Sequence, residues 1–191
     1  MSSHEYKTHG LMIDDLIVAD EKLTDLIKEI ADLYLKNDRA WVIGFSGGKD
    51  STVILSLIYQ ALTTLTKKQL KKKVYVVCSD TLVETPVVVG LVREVLNNVQ
   101  ESANEKGIPL VTQMVVPDTN NTFWSNLLGK GYPAPTSGFR WCTERMKIKP
   151  VTAFIQETVS KHGEVIVALG SRKEESSARS ASIKKHSIKG T

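Results

Sequence analysis

Apolar positions follow two periods along this chain. Leu16, Leu23, Ile27, Ile30 and Leu33 recur at helical spacing between residues 14 and 36, with acidic residues on the opposite face, and predict an amphipathic helix packed ahead of the first strand. Residues 40–45 form an apolar run of strand length. The helical period returns over residues 52–62, where Ile54, Leu57, Ile58, Ala61 and Leu62 share one side. Residues 74–79 are continuously apolar, as in a strand buried on both faces. Pro86 and residues 87–99 predict a crossover helix, residues 110–116 a third strand, and residues 165–169 a fourth. Between the last two strands a helix over about 143–160 is interrupted or begun near Pro150. This alternation predicts an α/β fold with a doubly wound, mostly parallel sheet flanked by helices. Residues 117–139 break the pattern: residues 122–128 suit a short helix, and Gly129, Gly131, Pro133, Pro135 and Gly138 punctuate the rest. A loop of that length is functional or mobile. Phe123 and Trp124 either anchor it to the core or line a groove.

The chemistry concentrates where the first strand meets its helix, in Gly44-Phe45-Ser46-Gly47-Gly48-Lys49-Asp50-Ser51. Adjacent glycines let backbone amides approach a ligand, and the turn opens into a helix N-terminus, which favours an anion. Ser46 and Ser51 add hydroxyls, Lys49 a mobile positive charge, and Asp50 a carboxylate for capping the helix or holding Mg²⁺ beside a phosphate. Polyphosphate is the expected ligand. The Walker A spacing is absent, because Ile43 stands where its first glycine belongs and Asp50 where its Ser or Thr belongs. Asp80 and Thr81 follow the second strand, and Gly170 and Arg172 the fourth, so all three strand ends are expected at one cleft.

Composition narrows the class. The 191 residues, 41% hydrophobic and 24% charged, suit a single domain over 1–191. No apolar run reaches the roughly 20 residues of a membrane span, and the first ten residues lack a signal-peptide core, so a soluble cytoplasmic protein without membrane partners is expected. Two cysteines, Cys78 and Cys142, make neither a disulfide framework nor a four-cysteine metal site. Cys78 lies within an apolar strand and reads as a core residue. Cys142 sits near Arg140 and Arg145, which leaves two readings open: an activated sulfur acceptor, or a half-buried thiol at a helix start. The net charge is +4, and residues 171–191 alone, with six basic residues against two acidic, equal that excess. Residues 130–150 carry five against one. Both stretches are candidate polyanion surfaces, whereas the lysine run at 67–73 reads as a solvated helix end.

Four ordered motifs carry a family resemblance. Ser46 to Ser51 resembles the S-G-G-x-D-S loop of the PP-loop ATP pyrophosphatases. Ser79-Asp80-Thr81 through Pro86 is similar to the second-strand segment of their phosphoadenosine phosphosulfate reductase branch. Cys142-Thr143 with Lys147 and Pro150 resembles its C-T-x-x-x-K-x-x-P element, and Gly170, Arg172, Glu175, Ser176 and Arg179 its G-x-R-x-x-E-S-x-x-R element. The resemblance covers residues 12–182 and comes nearest to the DndC-type proteins of DNA phosphorothioation. It implies an adenine nucleotide alpha hydrolase-like fold that binds ATP and Mg²⁺ and cleaves the α–β bond to adenylylate a DNA backbone phosphate for sulfur incorporation. DNA, a cysteine desulfurase and other phosphorothioation proteins are the implied partners. Lys49, Asp50, Arg172 and Cys142 become catalytic candidates, with Asp50 also the Mg²⁺ ligand. Phe45, Ser46, Gly47, Gly48, Lys49, Asp50, Ser51, Asp80, Thr81, Gly170 and Arg172 become nucleotide-binding candidates, and Arg140, Lys184 and Lys185 face DNA. DndC-type proteins are longer and hold an iron–sulfur cluster on further cysteines. The chain is therefore expected to be an N-terminal fragment, with any cluster confined to the missing C-terminal part. The rival expectations are sulfonucleotide reduction and a non-catalytic nucleotide-binding scaffold.

Overall fold

A computed structural model of the protein describes residues 21–171. Helix α1 (Glu21–Leu35) turns Ala31 and Tyr34 inward, and the Tyr34 ring meets Trp41 edge-on at 5.8 Å while its hydroxyl donates to the Lys72 carbonyl at 2.9 Å. Leu33, expected on the buried face, is exposed because its neighbour Tyr34 takes the inward position. Leu16 lies outside the described residues.

Strands β1 (Ala40–Gly44), β2 (Val74–Ser79), β3 (Leu110–Val115) and β4 (Val165–Leu169) form one parallel sheet in the order β3-β2-β1-β4. The apolar runs are continuous because the central strands are covered on both faces. On one face Trp41, Ile43, Val74, Val76 and Leu110 pack with Leu55, Ile58, Leu62, Val92, Leu96 and Val99 of α2 (Lys49–Thr63) and α3 (Pro86–Lys106). On the other, Tyr75 meets Phe154 of α5 (Lys149–His162) edge-on at 5.7 Å. Helices on both faces of a parallel sheet make the fold doubly wound, of the adenine nucleotide alpha hydrolase-like type. The chain steps outward from β1 to β3 and then returns to the far side of β1, so the topological switch lies between β1 and β4.

Helix α3 outruns the predicted 87–99 because its last turns are polar and send only Ala103 inward before Gly107, at φ 69°, closes the helix in the left-handed region. After β3 the chain makes a 3₁₀ turn (Thr119–Asn121) and a π-helical turn (Ser125–Gly129). A short helix α4 (Trp141–Thr143) then runs through a second π-helical turn (Glu144–Ile148) into α5. Pro150 therefore sits in the first turn of α5, where its missing N–H is tolerated. Among the described residues no helix is long and apolar enough to cross a membrane.

Candidate functional site

The loop after β1 is held by its own hydroxyls. Ser51 Oγ donates to the Gly48 carbonyl at 2.8 Å and accepts from the Ser46 amide at 3.2 Å. With its one proton committed, it accepts from Ser46 Oγ–H across the 3.1 Å contact. Ser51 thus shapes the loop from within, while Ser46 Oγ keeps its lone pairs. Gly47 has φ 73°, and a Cβ there would stand 2.8 Å from Val92 Cγ2, so both backbone and packing require glycine. Gly48 caps α2 without a side-chain hydrogen bond, which leaves the first-turn amides to an anion. Lys49 is exposed beside them, Asp50 is half-buried in that first turn, and Phe45 is buried beneath. Gly170, at the end of β4, comes so close that a Cβ would sit 2.5 Å from the Asp50 carbonyl oxygen. The ends of β1 and β4 are in contact at the switch point.

The end of β2 joins the same cleft. A cavity there is lined by Ser46, Cys78, Asp80, Glu84, Val92 and Lys147, among others. Asp80 is buried, accepting from the Leu82 amide at 2.9 Å and pairing with Arg93 of α3 at 3.5 Å. These bonds hold the following loop, in which Leu82 takes φ 61°, uncommon for a branched side chain. The Thr81 hydroxyl is buried beside it with no partner, as expected of a group awaiting a ligand or water. Across the cavity mouth Lys147 pairs with Glu84 at 3.2 Å, tying the second π-helical turn to the β2 loop. Neither Arg93–Asp80 nor Glu84–Lys147 was foreseen, since each spans elements with no local pattern linking them.

The two cysteines differ. Cys78 is buried, as expected of a core residue, yet it also lines the cavity. Burial first, then the charges of Glu84 and Asp80, push its thiol up to about 11. At pH 8 only about a thousandth of such a thiol is ionised, so iodoacetamide should label Cys142 well before Cys78 in the native protein; equal rates by peptide mapping would contradict this placement. The unfolded thiol ionises near 9.0, so Cys78 favours folding below that pH and loses this contribution as pH rises toward about 11.

Cys142 is half-buried at the start of the run that leads into α5. Arg145, expected to help activate it, is engaged elsewhere, donating to Asn121 Oδ1 at 2.8 Å and to the Tyr132 hydroxyl at 2.6 Å. Arg140 precedes the run and is exposed. Trp141, between them, is buried, donates from Nε1 to the Pro133 carbonyl at 3.0 Å, and stacks on Phe123 at 5.5 Å. Phe123 thus anchors the loop, whereas Trp124 remains exposed. Arg172, Glu175, Ser176, Arg179, Lys184 and Lys185 lie outside the described residues.

Residues 40–189 match the family model described as the phosphoadenosine phosphosulfate reductase domain. An uncharacterized protein of Methanocaldococcus jannaschii, MJ0066, is 31% identical over 169 residues, covering 88% of this chain and 30% of its own length. The chain therefore spans under a third of that relative. Among solved structures, the U34-tRNA thiolase NcsA from Methanococcus maripaludis with its 4Fe–4S cluster aligns with 89% of this chain and 53% of its own at 16% identity and a TM-score of 0.49. That alignment corrects one expectation. A cluster-bearing protein overlaps most of the region in hand, so confining a cluster to a missing C-terminal part does not stand. Counting cysteines in one chain does not locate a cluster within a fold. Among the described residues no three His, Cys, Asp or Glu side chains are grouped to hold a metal.

Proposed function

The chain belongs to the phosphoadenosine phosphosulfate reductase domain family, and on that premise we propose that it is a PP-loop enzyme that binds ATP at the β1–α2 loop and cleaves its α–β bond to activate a DNA phosphate for sulfur incorporation. Lys49 and the first-turn amides of α2 stabilise charge on the leaving pyrophosphate. A DNA phosphate oxygen bonds to the α-phosphorus as the bond to pyrophosphate breaks. The outer sulfur of a persulfide supplied by a cysteine desulfurase partner then bonds to the DNA phosphorus as AMP leaves. A thiol reductant cleaves the remaining S–S bond, forming a disulfide with the carrier and freeing the phosphorothioate. Asp50, half-buried in the first turn of α2, is the residue that would hold Mg²⁺, which would supply further charge neutralisation when bound. Cys142 is the candidate sulfur carrier, and Arg172 the candidate partner of the α-phosphate.

The observation that carries the DNA reading is the basic run beside the cleft: residues 130–150 hold five cations against one acid. Of these, Lys130 and Arg140 are exposed without an ion pair among the described residues, whereas Arg145, Lys147 and Lys149 are engaged by Asn121 and Tyr132, Glu84 and Glu144. The family description favours a second reading, sulfonucleotide reduction, in which the same loop holds the nucleotide's phosphates without cleaving ATP. Product analysis separates the two. With MgATP, DNA and a sulfur donor, the first predicts AMP and pyrophosphate in equal amounts. ADP and phosphate, or no ATP turnover beside sulfite release from a sulfonucleotide and thiol, would overturn it.

A further inference from the structure

Resting on the DNA reading above, we propose that the aromatic cluster after β3 is a docking platform for single-stranded DNA, with Trp124 the ring on which an unpaired base stacks. Trp124 is 58% exposed, while behind it Phe123 is half-buried and Trp141 buried. It stands edge-on to Phe123 at 5.2 Å, Phe123 stacks on buried Trp141 at 5.5 Å with 22° between planes, and Trp141 is locked by its bond to the Pro133 carbonyl. An indole exposed on so rigid a mount offers a flat face without losing conformational freedom on binding.

Its surroundings suit a polyanion. Arg140 is exposed and makes no ion pair among the described residues, and exposed Lys130 on the same segment donates only to neutral Asn120 and Asn121 oxygens, whereas Lys147 and Lys149 are paired with Glu84 and Glu144. The π-helical turns point the same way. Among the described residues the two such turns are Ser125–Gly129, directly after Trp124, and Glu144–Ile148, directly after the turn that carries Trp141. Turns of this kind have poorer hydrogen-bond geometry than an α-helix and concentrate at functional sites. The second also delivers Lys147 to the strand-end cavity, so the platform and the nucleotide cleft share one rigid run of chain. A base inside a duplex has no free face for Trp124, and a sulfonucleotide held at the loop would leave the ring idle.

The test measures binding of the full chain to a fluorescently labelled single-stranded oligodeoxynucleotide by anisotropy. Trp124→Ala should weaken binding about five- to 150-fold, from the usual worth of one base–aromatic stack, and Trp124→Phe should restore most of it. Both variants should bind ATP like the parent. The same sequence as a duplex should bind more weakly and respond little to either substitution. Parent-like affinity in Trp124→Ala, a duplex that binds as tightly as its single strand, or no binding of either form overturns the platform. Measuring pyrophosphate release from MgATP alongside separates this failure from that of the underlying reading. Stimulation by single-stranded DNA that is equal in parent and Trp124→Ala overturns the platform alone, whereas ATP turnover indifferent to any DNA overturns both.

Discussion

Lys49→Ala is expected to lower ATP α–β cleavage about 10²-fold or more, with stability unchanged. The side chain is exposed and forms no ion pair among the described residues, so truncation removes no packing and orphans no buried partner. What it removes is a positive charge beside the uncapped start of α2, where in the proposed reaction the leaving pyrophosphate would carry its growing negative charge. A preorganised donor of this kind is worth about 10²–10³ in turnover. Because that charge develops in the transition state, the loss should fall on kcat more than on KM. Lys49→Arg should keep the charge but place it less well, giving an intermediate rate. Turnover equal to the parent in Lys49→Ala would remove Lys49 from the chemistry.

Gly170→Ala should both destabilise the fold and weaken nucleotide binding. Its Cβ would stand 2.5 Å from the Asp50 oxygen, 2.7 Å from the Asp50 carbonyl carbon and 2.9 Å from the Ser51 nitrogen, all backbone atoms of α2's first turn. No rotamer change relieves that clash, so the turn or the end of β4 must move. Overpacking of this kind costs about 1–3 kcal/mol. The displaced turn contains Ser51, whose hydroxyl holds the loop closed. Gly44→Ala is the natural control. Its nearest neighbour, also at 2.5 Å, is Leu169 Cδ2, the end of an exposed side chain that can rotate away. Thermal melts and ATP titrations of the two variants should therefore diverge. Parent-like behaviour in Gly170→Ala would contradict the contact between the end of β4 and the first turn of α2.

The sheet and loop were legible because both are written locally. Each strand is a short apolar run, and Ser46 to Ser51 joins a strand to a helix with glycines at the turn. The expected strand and helix order accordingly matches the observed one. What escaped notice depends on distant partners. Tyr34 rather than Leu33 faces inward because Trp41 and the Lys72 carbonyl wait for it. Asp80 and Thr81 were expected as ligand groups by their place after β2, but the bonds from Asp80 to Leu82 and Arg93 show it also building its own loop. The helix over 143–160 is expected to be interrupted or begun near Pro150, and α5 does begin at Lys149. The second π-helical turn, which moves that proline to a tolerated position, has no signature in hydrophobic spacing. The proximity of Arg145 to Cys142 in sequence likewise gave no sign that Asn121 and Tyr132 would claim the guanidinium.

The central claim is that ATP is spent at its α–β bond to activate DNA, and trapping of the activated strand tests it most directly. The protein would be incubated with Mg²⁺, DNA and ATP radiolabelled at the α-phosphorus, without a sulfur donor, and the DNA resolved on a denaturing gel. The account predicts label on the DNA, accumulation that depends on Lys49, and release as AMP when a sulfur donor is added. Label that stays entirely in ATP while a sulfonucleotide is reduced to sulfite would contradict it.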